Sequence, residues 1–527
     1  MKEKILKFVG QYKWFFAALI IVSVFISLAH IKSGWYVDEI YSYGHASSTE
    51  GPFLNGQTKN MLVADKYNLH HRWISGEVFH DYLTVQKNER FHYNHIFDNV
   101  RMDVHPPLYF IILHTLRSFL PEGFGKEVGL ALNAGILLLL LWWFYQLAMI
   151  VLQDKNWAFG ATFFFAFLPS ILEMSLFIRM YLLETAFFVG LLVQTLPLLE
   201  EDKITLKRAV KIFCLAILCY LTHFYGLIYV FFLSAGMCIY FLIEKKTHLL
   251  FLYMLTMFLS VAAVALIYPA FFKVLLLSDR GTESIEAFHM CSWQLLGAFF
   301  EHMIEQISHA LFFVRDWAWV VLFGLIFLLL KVEISIRGRM LLFVALTSMF
   351  LLTIIVPDMG AFNGRYYVCA MPELYIVIIC ASRKFIKKHF KYGAIGISLI
   401  AVILAGINIA VMQHSPYLGR SSDIATVENM VKGKKILFQR QYTKSIFDFV
   451  PAFQNADAVY FLFKDDNANE VLLSPEFKPG SLLIYEVGIG AKKYKSKAIW
   501  EKNPELGLRY VGQYSIDMMC YDVYTKI

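Results

Sequence analysis

Residues 14–43 read WFFAALIIVSVFISLAHIKSGWYVDEIYSY, and this stretch decides how the chain is built. Its first part, Trp14 to Ile31, is an apolar run of 18 residues, long enough to cross ~30 Å of hydrocarbon as a helix. Its second part sets two adjacent carboxylates, Asp38 and Glu39, among Trp35, Tyr36, Tyr41 and Tyr43. Carboxylates cost little in water and Trp and Tyr anchor span ends, so a solvated loop start accounts for the pattern. An acid held at the membrane surface to meet a lipid-borne substrate accounts for it as well. Lys2, Lys4, Lys7 and Lys13 precede the run in the charge order of a signal peptide. The run exceeds a usual signal core, however, and no small-residue cleavage site follows it, so a retained first span is expected.

The rest of the composition agrees with a membrane setting. Of 527 residues, 58% are hydrophobic and 17% aromatic, and the mean hydropathy is +0.54. Apolar runs near span length recur at 128–152, 156–173, 180–199, 210–222, 224–243, 248–271, 316–331, 339–356, 366–382 and 392–412. Leu108–Leu120 is apolar too, but 13 residues of helix reach only ~20 Å. Loop charge settles its place. If it does not cross, the segments 1–13, 153–156, 200–211, 244–248, 331–339 and 383–391 share one side and hold 19 Lys and Arg against 7 Asp and Glu. That is the cytoplasmic bias of membrane proteins. The segment is therefore expected to lie flat or re-entrant at the outer interface.

The expected fold class is a mainly α polytopic membrane protein of about 11 spans with a small extracytoplasmic α/β domain. Residues 1–412 form the membrane domain, with a long outer loop at 32–127, and residues 413–527 form the outer domain. In that tail Ile424–Val431 reads as a helix, and Lys435–Phe438, Ala458–Phe463, Leu482–Val487, Leu508–Tyr514 and Met518–Thr525 read as strands. The N-terminus is expected in the cytoplasm and the tail outside, in a multi-pass cell membrane protein of bacterial plasma-membrane type. The net charge of +7 is cytoplasmic anchoring, so no nucleic-acid partner is expected. Seven cysteines lack CxxC spacing and imply no disulfide framework.

With this sidedness the unusual polar residues gather outside. Asp38-Glu39 follows the first span, and Asp103-Val104-His105-Pro106-Pro107 closes the long loop. Arg179-Met180-Tyr181 opens the fourth span, Thr222-His223-Phe224-Tyr225 marks a short turn, and Asp358 with Asn363-Gly364-Arg365-Tyr366-Tyr367 precedes the tenth span. An arginine at an outer helix end has no topological use, so Arg179 and Arg365 are expected to hold an anion. Plainer readings exist for each. The Pro pair suits a helix start, Arg179 would pair with Glu173 or Glu184, Arg365 would snorkel, and His223 would be a satisfied turn residue. His70-His71 and His92-x-x-His95 have metal-ligand chemistry but a scattered loop setting, so no metal or other cofactor is expected. Glu301, His302, Glu305 and His309 read as one face of a surface helix.

The acidic pair after the first span, the HPPL-type motif, the RMY-type motif and the late RYY-type motif together resemble the GT-C membrane glycosyltransferases. Within that group the sequence is most similar in pattern to the protein O-mannosyltransferase-like group and the aminoarabinose transferases of lipid A, over residues 1–412. One departure stands in the stretch Glu127–Gly135, which opens Glu-Val-Gly-Leu-Ala-Leu-Asn where relatives often carry an arginine. Lys126 or Arg117 is the expected substitute. The resemblance implies transfer of a sugar from a polyprenyl-phosphate carrier to a protein, lipid or cell-wall polymer outside the cytoplasm. It implies Asp38 as general base with Glu39 orienting acceptor or base, Arg179 and Arg365 with Tyr181 and Tyr366 on the glycosyl donor's phosphate, and His105 on the sugar or the phosphate. Asp103, His223 and Tyr225 are further candidates. The alternative class is a polytopic transporter or lipid flippase, which would need charges in mid-span; here only Glu184 and Glu373 come close.

Overall fold

The computed structural model describes residues 2–56, 68–120, 125–289, 331–356, 363–389, 393–418, 422–442, 444–489, 503–516 and 519–527, with isolated positions between 297 and 330 and at 500. The expected span 316–331, Asp358 and most of the surface-helix face at Glu301–His309 lie outside the described residues. Two compact units are present. One comprises Met1–Ser27, Asp103–Tyr109 and Gly129–Ser415; the other comprises Leu28–Met102, Phe110–Val128 and Pro416–Ile527.

The first unit is helical. Among the described residues six helices are long and apolar enough to cross a membrane: Trp14–Ile31, Lys126–Leu152, Tyr181–Leu199, Tyr225–Ile243, Thr247–Ile267 and Ile336–Ile355. Two bent helix pairs raise the number to eight if each is one span; in one of them Lys155–Phe165 and Pro169–Leu176 meet at 56°. Proline explains that bend, because Pro169 has no N–H to continue a ladder and opens a new first turn. The helix Leu108–Phe119 has 12 residues, about 18 Å, too short to cross. Close approach between helices rests on small residues. A Cβ on Gly236 would lie 2.7 Å from Met340 Sδ, and one on Gly190 would lie 3.1 Å from the Trp143 ring.

The basic loops meet at one end of this unit. Arg337 donates to Ile150 O at 2.7 Å and to Glu200 at 2.7 Å. Arg383 donates to Leu152 O at 2.6 Å and to Asp154 at 2.8 Å. Both guanidinium groups thus satisfy the last carbonyls of Lys126–Leu152, where the helix dipole favours a cation. Lys246 reaches Glu201 O at 2.8 Å and Asp202 at 3.1 Å. Segments 153–156, 200–211, 244–248, 331–339 and the start of 383–391 therefore share an end, as the loop-charge argument requires.

The second unit is built on a six-stranded sheet of order β1-β3-β2-β4-β6-β5. The strands are β1 Trp73–Ser75, β2 Lys435–Arg440, β3 Ala458–Phe463, β4 Leu482–Ile489, β5 Leu508–Ile516 and β6 Met519–Lys526. β2 runs parallel to β3 and β4, and the other pairs are antiparallel. Five strands fall where the alternation of aromatic and β-branched residues puts them. The sixth, β1, comes from the long loop after the first apolar helix and adds to the β3 edge. His70 fastens this graft: it stacks on Phe463 at 4.0 Å and accepts from Arg440 Nη2 at 2.8 Å. Burial, then Arg440 and His71, push its pKa down to about 3. Rings of Phe438, Phe449, Phe453, Phe461 and Tyr521 fill the layer between the sheet and the helix Lys444–Phe453. The helix Val37–Ser47 belongs to the same unit, with Tyr41 against Phe447 at 4.3 Å.

Candidate active site

In the first unit the structure brings eight of the expected residues into one cluster: Asp103, His105, Arg179, Tyr181, His223, Tyr225, Arg365 and Tyr366. His105 Nδ1 lies 2.9 Å from Asp103 Oδ2, and His105 Nε2 lies 3.2 Å from Arg179 Nη2. A guanidinium can only donate, so Nε2 accepts and the ring proton sits on Nδ1, directed at the Asp103 carboxylate. Asp103 fixes the tautomer, and the tautomer fixes the guanidinium. Arg179 follows the broken helix Pro169–Leu176 and precedes the span Tyr181–Leu199. It does not follow the plainer reading as a partner of Glu173 or Glu184. Glu173 is bonded by Ser415, and Glu184 Oε2 lies 3.9 Å from His223 Nδ1.

His223 caps the end of the helix Leu206–Thr222. Its ring lies 5.4 Å from that of His105, 5.2 Å from Tyr181 and 4.6 Å from Tyr225. Tyr225 N donates to its Nδ1 at 3.0 Å. Burial first, then His105, Arg179 and Arg365, hold its pKa well below the ordinary imidazole value, so it stays neutral. Arg365 enters on the 3₁₀ segment Asn363–Ala370. Its guanidinium lies over Tyr366 at 5.1 Å, Phe177 at 5.8 Å and Tyr181 at 5.9 Å, and donates to Tyr366 Oη at 3.2 Å. Tyr366 in turn packs edge-on to Tyr225 at 5.3 Å and Tyr181 at 5.9 Å. Among the described residues the Arg179 and Arg365 guanidinium groups thus stand beside aromatic faces, near the Asp103 and Glu184 carboxylates, and a guanidinium is a group that binds an anion bidentately.

Asp38 and Glu39 lie in the second unit, in the first turn of the helix Val37–Ser47. Their environments differ sharply. Glu39 is fully buried and pairs with Lys32 at 3.0 Å, while its carboxylate accepts from Tyr36 N at 2.8 Å as part of a capping box. Lys32 also donates to Tyr417 O. Asp38 is part-exposed beside this clamp, and Ser42 Oγ donates to its backbone carbonyl at 3.1 Å. Glu39 thus sets the entry of the helix that carries Asp38. The suggested substitutes for a missing arginine are placed as follows. Lys126 donates to Ser33 O at 2.9 Å, and Arg117 lies under the Tyr43 ring at 4.7 Å.

The loop histidines are committed elsewhere. His95 and His114 both bond Ala46 O, at 3.3 and 2.7 Å. Among the described residues no group of three or more His, Cys, Asp or Glu side chains is placed to hold a metal ion.

Three residues of these clusters escaped the sequence reading: Lys32, Asn133 and Phe177. Lys32 reads as a span-end anchor. Asn133 carried a signal, an amide in the apolar run 128–152, where an unpaired polar group is costly. Phe177 carried none.

No protein-family model matches the chain, and no curated protein matches it. Solved structures do. ArnT from Cupriavidus metallidurans in the apo state superposes with a TM-score of 0.54 at 12% identity, covering 98% of each chain. The archaeal oligosaccharyltransferase AglB from Archaeoglobus fulgidus, in complex with an inhibitory peptide and a dolichol-phosphate, has a TM-score of 0.43 at 12% identity over 85% of this chain and 64% of its own. On this end-to-end match the chain has the fold of ArnT.

Proposed function

We propose that this protein is an integral-membrane glycosyltransferase that moves a sugar from a polyprenyl-phosphate carrier to an acceptor on the extracytoplasmic face. The observation that carries the reading is the Asp103–His105–Arg179 chain with Arg365 beside it, in a chain of GT-C fold. A departing lipid phosphate gains negative charge, and fixed guanidinium groups stabilise that charge without reorganising; one such group is worth about 3 kcal/mol in the transition state. His105 serves by orienting Arg179. Tyr181, Tyr225 and Tyr366 wall the cluster and offer faces to a sugar ring. His223, neutral and packed on His105, adds no competing charge.

Asp38 is proposed as the general base on its sequence position and its part-exposed place beside a buried clamp. A positioned carboxylate that takes the acceptor proton typically contributes ~10²–10⁴-fold. Glu39 orients that base through the Lys32 pair. The acceptor, whether protein, lipid or wall polymer, is the partner on the outer face.

The test is binding of polyprenyl phosphate to the purified protein in lipid nanodiscs. Arg179→Ala and Arg365→Ala each weaken it by about tenfold or more, and Lys at either site restores part, keeping charge but losing the fork. Unchanged affinity in both Ala variants would remove the phosphate assignment. The transporter reading gains nothing from the structure: among the described residues the buried carboxyls within helices of the first unit are Glu173, Glu184 and Glu373, the last two in the first turns of their helices.

A further inference from the structure

We infer that Asn133 is a positioning residue for the phosphate-binding arginines, reaching Arg179 through a single shared carbonyl, that of Phe177. Asn133 is fully buried on the helix Lys126–Leu152. Its Nδ2 donates to Phe177 O at 2.7 Å and to Ser175 O at 3.1 Å. Those carbonyls lie at and just beyond the end of the helix Pro169–Leu176, where no further turn of helix supplies donors. The same Phe177 O accepts from Arg179 N at 2.8 Å. One amide therefore satisfies the end of a broken helix and fixes the turn in which the next residue but one is Arg179. Tyr109 Oη donates to Asn133 Oδ1 at 3.4 Å, which orients the amide so that its N–H groups face the turn.

The consequence reaches both arginines. The Phe177 ring stacks on Tyr181 at 5.9 Å and lies under the Arg365 guanidinium at 5.8 Å. Pinning Phe177 thus sets the floor for Arg365 as well as the backbone of Arg179. Asn133 falls in the stretch Glu127–Gly135, which carries no arginine. An arginine in that stretch would contact the anion itself; the asparagine acts on it through the backbone of another helix. The inference rests on the phosphate reading for its functional consequence, but the positioning of Arg179 can be read without it.

The experiment uses the full chain in nanodiscs with two readouts. The first is the rate at which phenylglyoxal modifies each arginine, followed by peptide mass spectrometry. Arg179 is 5% exposed, so it reacts slowly in the wild type. In Asn133→Ala it reacts about fivefold faster or more, because the turn loses its buried donors, while exposed Arg72 keeps its rate. An Arg179 rate within about twofold of wild type overturns the inference. The second readout is a double-mutant cycle on polyprenyl phosphate affinity. Asn133→Ala weakens binding by about tenfold in the wild-type background and by less than about twofold when Arg179 is already Ala. Equal factors in both backgrounds overturn it, since a general loss of folding is additive with Arg179→Ala. If Arg179→Ala alone leaves affinity unchanged while labelling at Arg179 rises, the phosphate reading fails and the positioning stands. Should Asn133→Ala not accumulate, Asn133→Ser, which keeps one short donor, is read by the same assays.

Discussion

Replacing Glu39 by Gln separates two neighbouring carboxylates that the sequence cannot tell apart. Glu39 and Lys32 are both fully buried with 3.0 Å between their charged atoms. At that distance and an effective dielectric constant of about 20, their attraction is about 5 kcal/mol, most of it offset by the cost of drying both charges. Removing one partner is different, because it leaves Lys32 buried without a counter-charge, at about 3–5 kcal/mol. Gln still accepts from Tyr36 N, so the capping box survives and the loss is electrostatic. Glu39→Gln should therefore lower the thermal unfolding midpoint in detergent by several degrees. Lys32→Met combined with Glu39→Leu should recover much of that loss, since an apolar pair needs no desolvation. Asp38→Asn, at a part-exposed site, should leave the midpoint in place. A Glu39→Gln protein that unfolds at the wild-type temperature yet transfers no sugar would refute the reasoning and make Glu39 a chemical participant.

Further outcomes follow from the same geometry. Asp38→Asn should bind polyprenyl phosphate normally and lose transfer by about 10²-fold or more; activity within tenfold of wild type, measured as transferred sugar, reassigns the base to Asp103 or Glu39. Because the folded His70 has its pKa pushed down to about 3 from 6.5, protonation favours the unfolded form. The graft of β1 should therefore weaken as pH falls below about 6.5, by up to ~1.4 kcal/mol per pH unit. Hydrogen exchange at Trp73–Ser75 reads this directly, and His70→Gln should flatten the dependence. Deletion from Pro416 removes Tyr417 and Phe447, which touch the Lys32 clamp and the Asp38 helix. Polyprenyl phosphate binding should persist in the truncated protein while transfer falls, and full transfer would show that the tail has no part in the reaction. For orientation, a cysteine at Glu505 should react with an impermeant thiol reagent in intact cells and one at Thr205 should not.

The membrane helices were legible because hydropathy and loop charge depend on local sequence alone. Apolar runs gave their lengths, and the 19-to-7 imbalance of loop charge anticipated the gathering of Arg337, Arg383 and Lys246 at one end. The grouping of Arg179 and Arg365 with the histidines and tyrosines was legible as well, since an arginine at a helix end away from the basic loops is conspicuous. What escaped depends on long-range partners. Trp73-Ile74-Ser75 is too short to show alternation, and only pairing with β3 makes it a strand. The helix Lys444–Phe453 was hidden by its aromatic residues and by Pro451, which reads as a breaker. Lys32 looked like an interfacial anchor because its counter-ion lies beyond a turn, and the service Asn133 gives to another helix leaves no local trace beyond one amide in an apolar run.

The most direct test of the central claim is mass spectrometry of the lipids that co-purify with the wild-type protein and with the Arg179→Ala/Arg365→Ala double variant. A polyprenyl phosphate, free or carrying a sugar, should be enriched with the wild type and lost from the double variant, with the sugar then passed to an extracytoplasmic acceptor on incubation. Equal lipid profiles from the two proteins, or a bound carrier that lacks a phosphate, would contradict it.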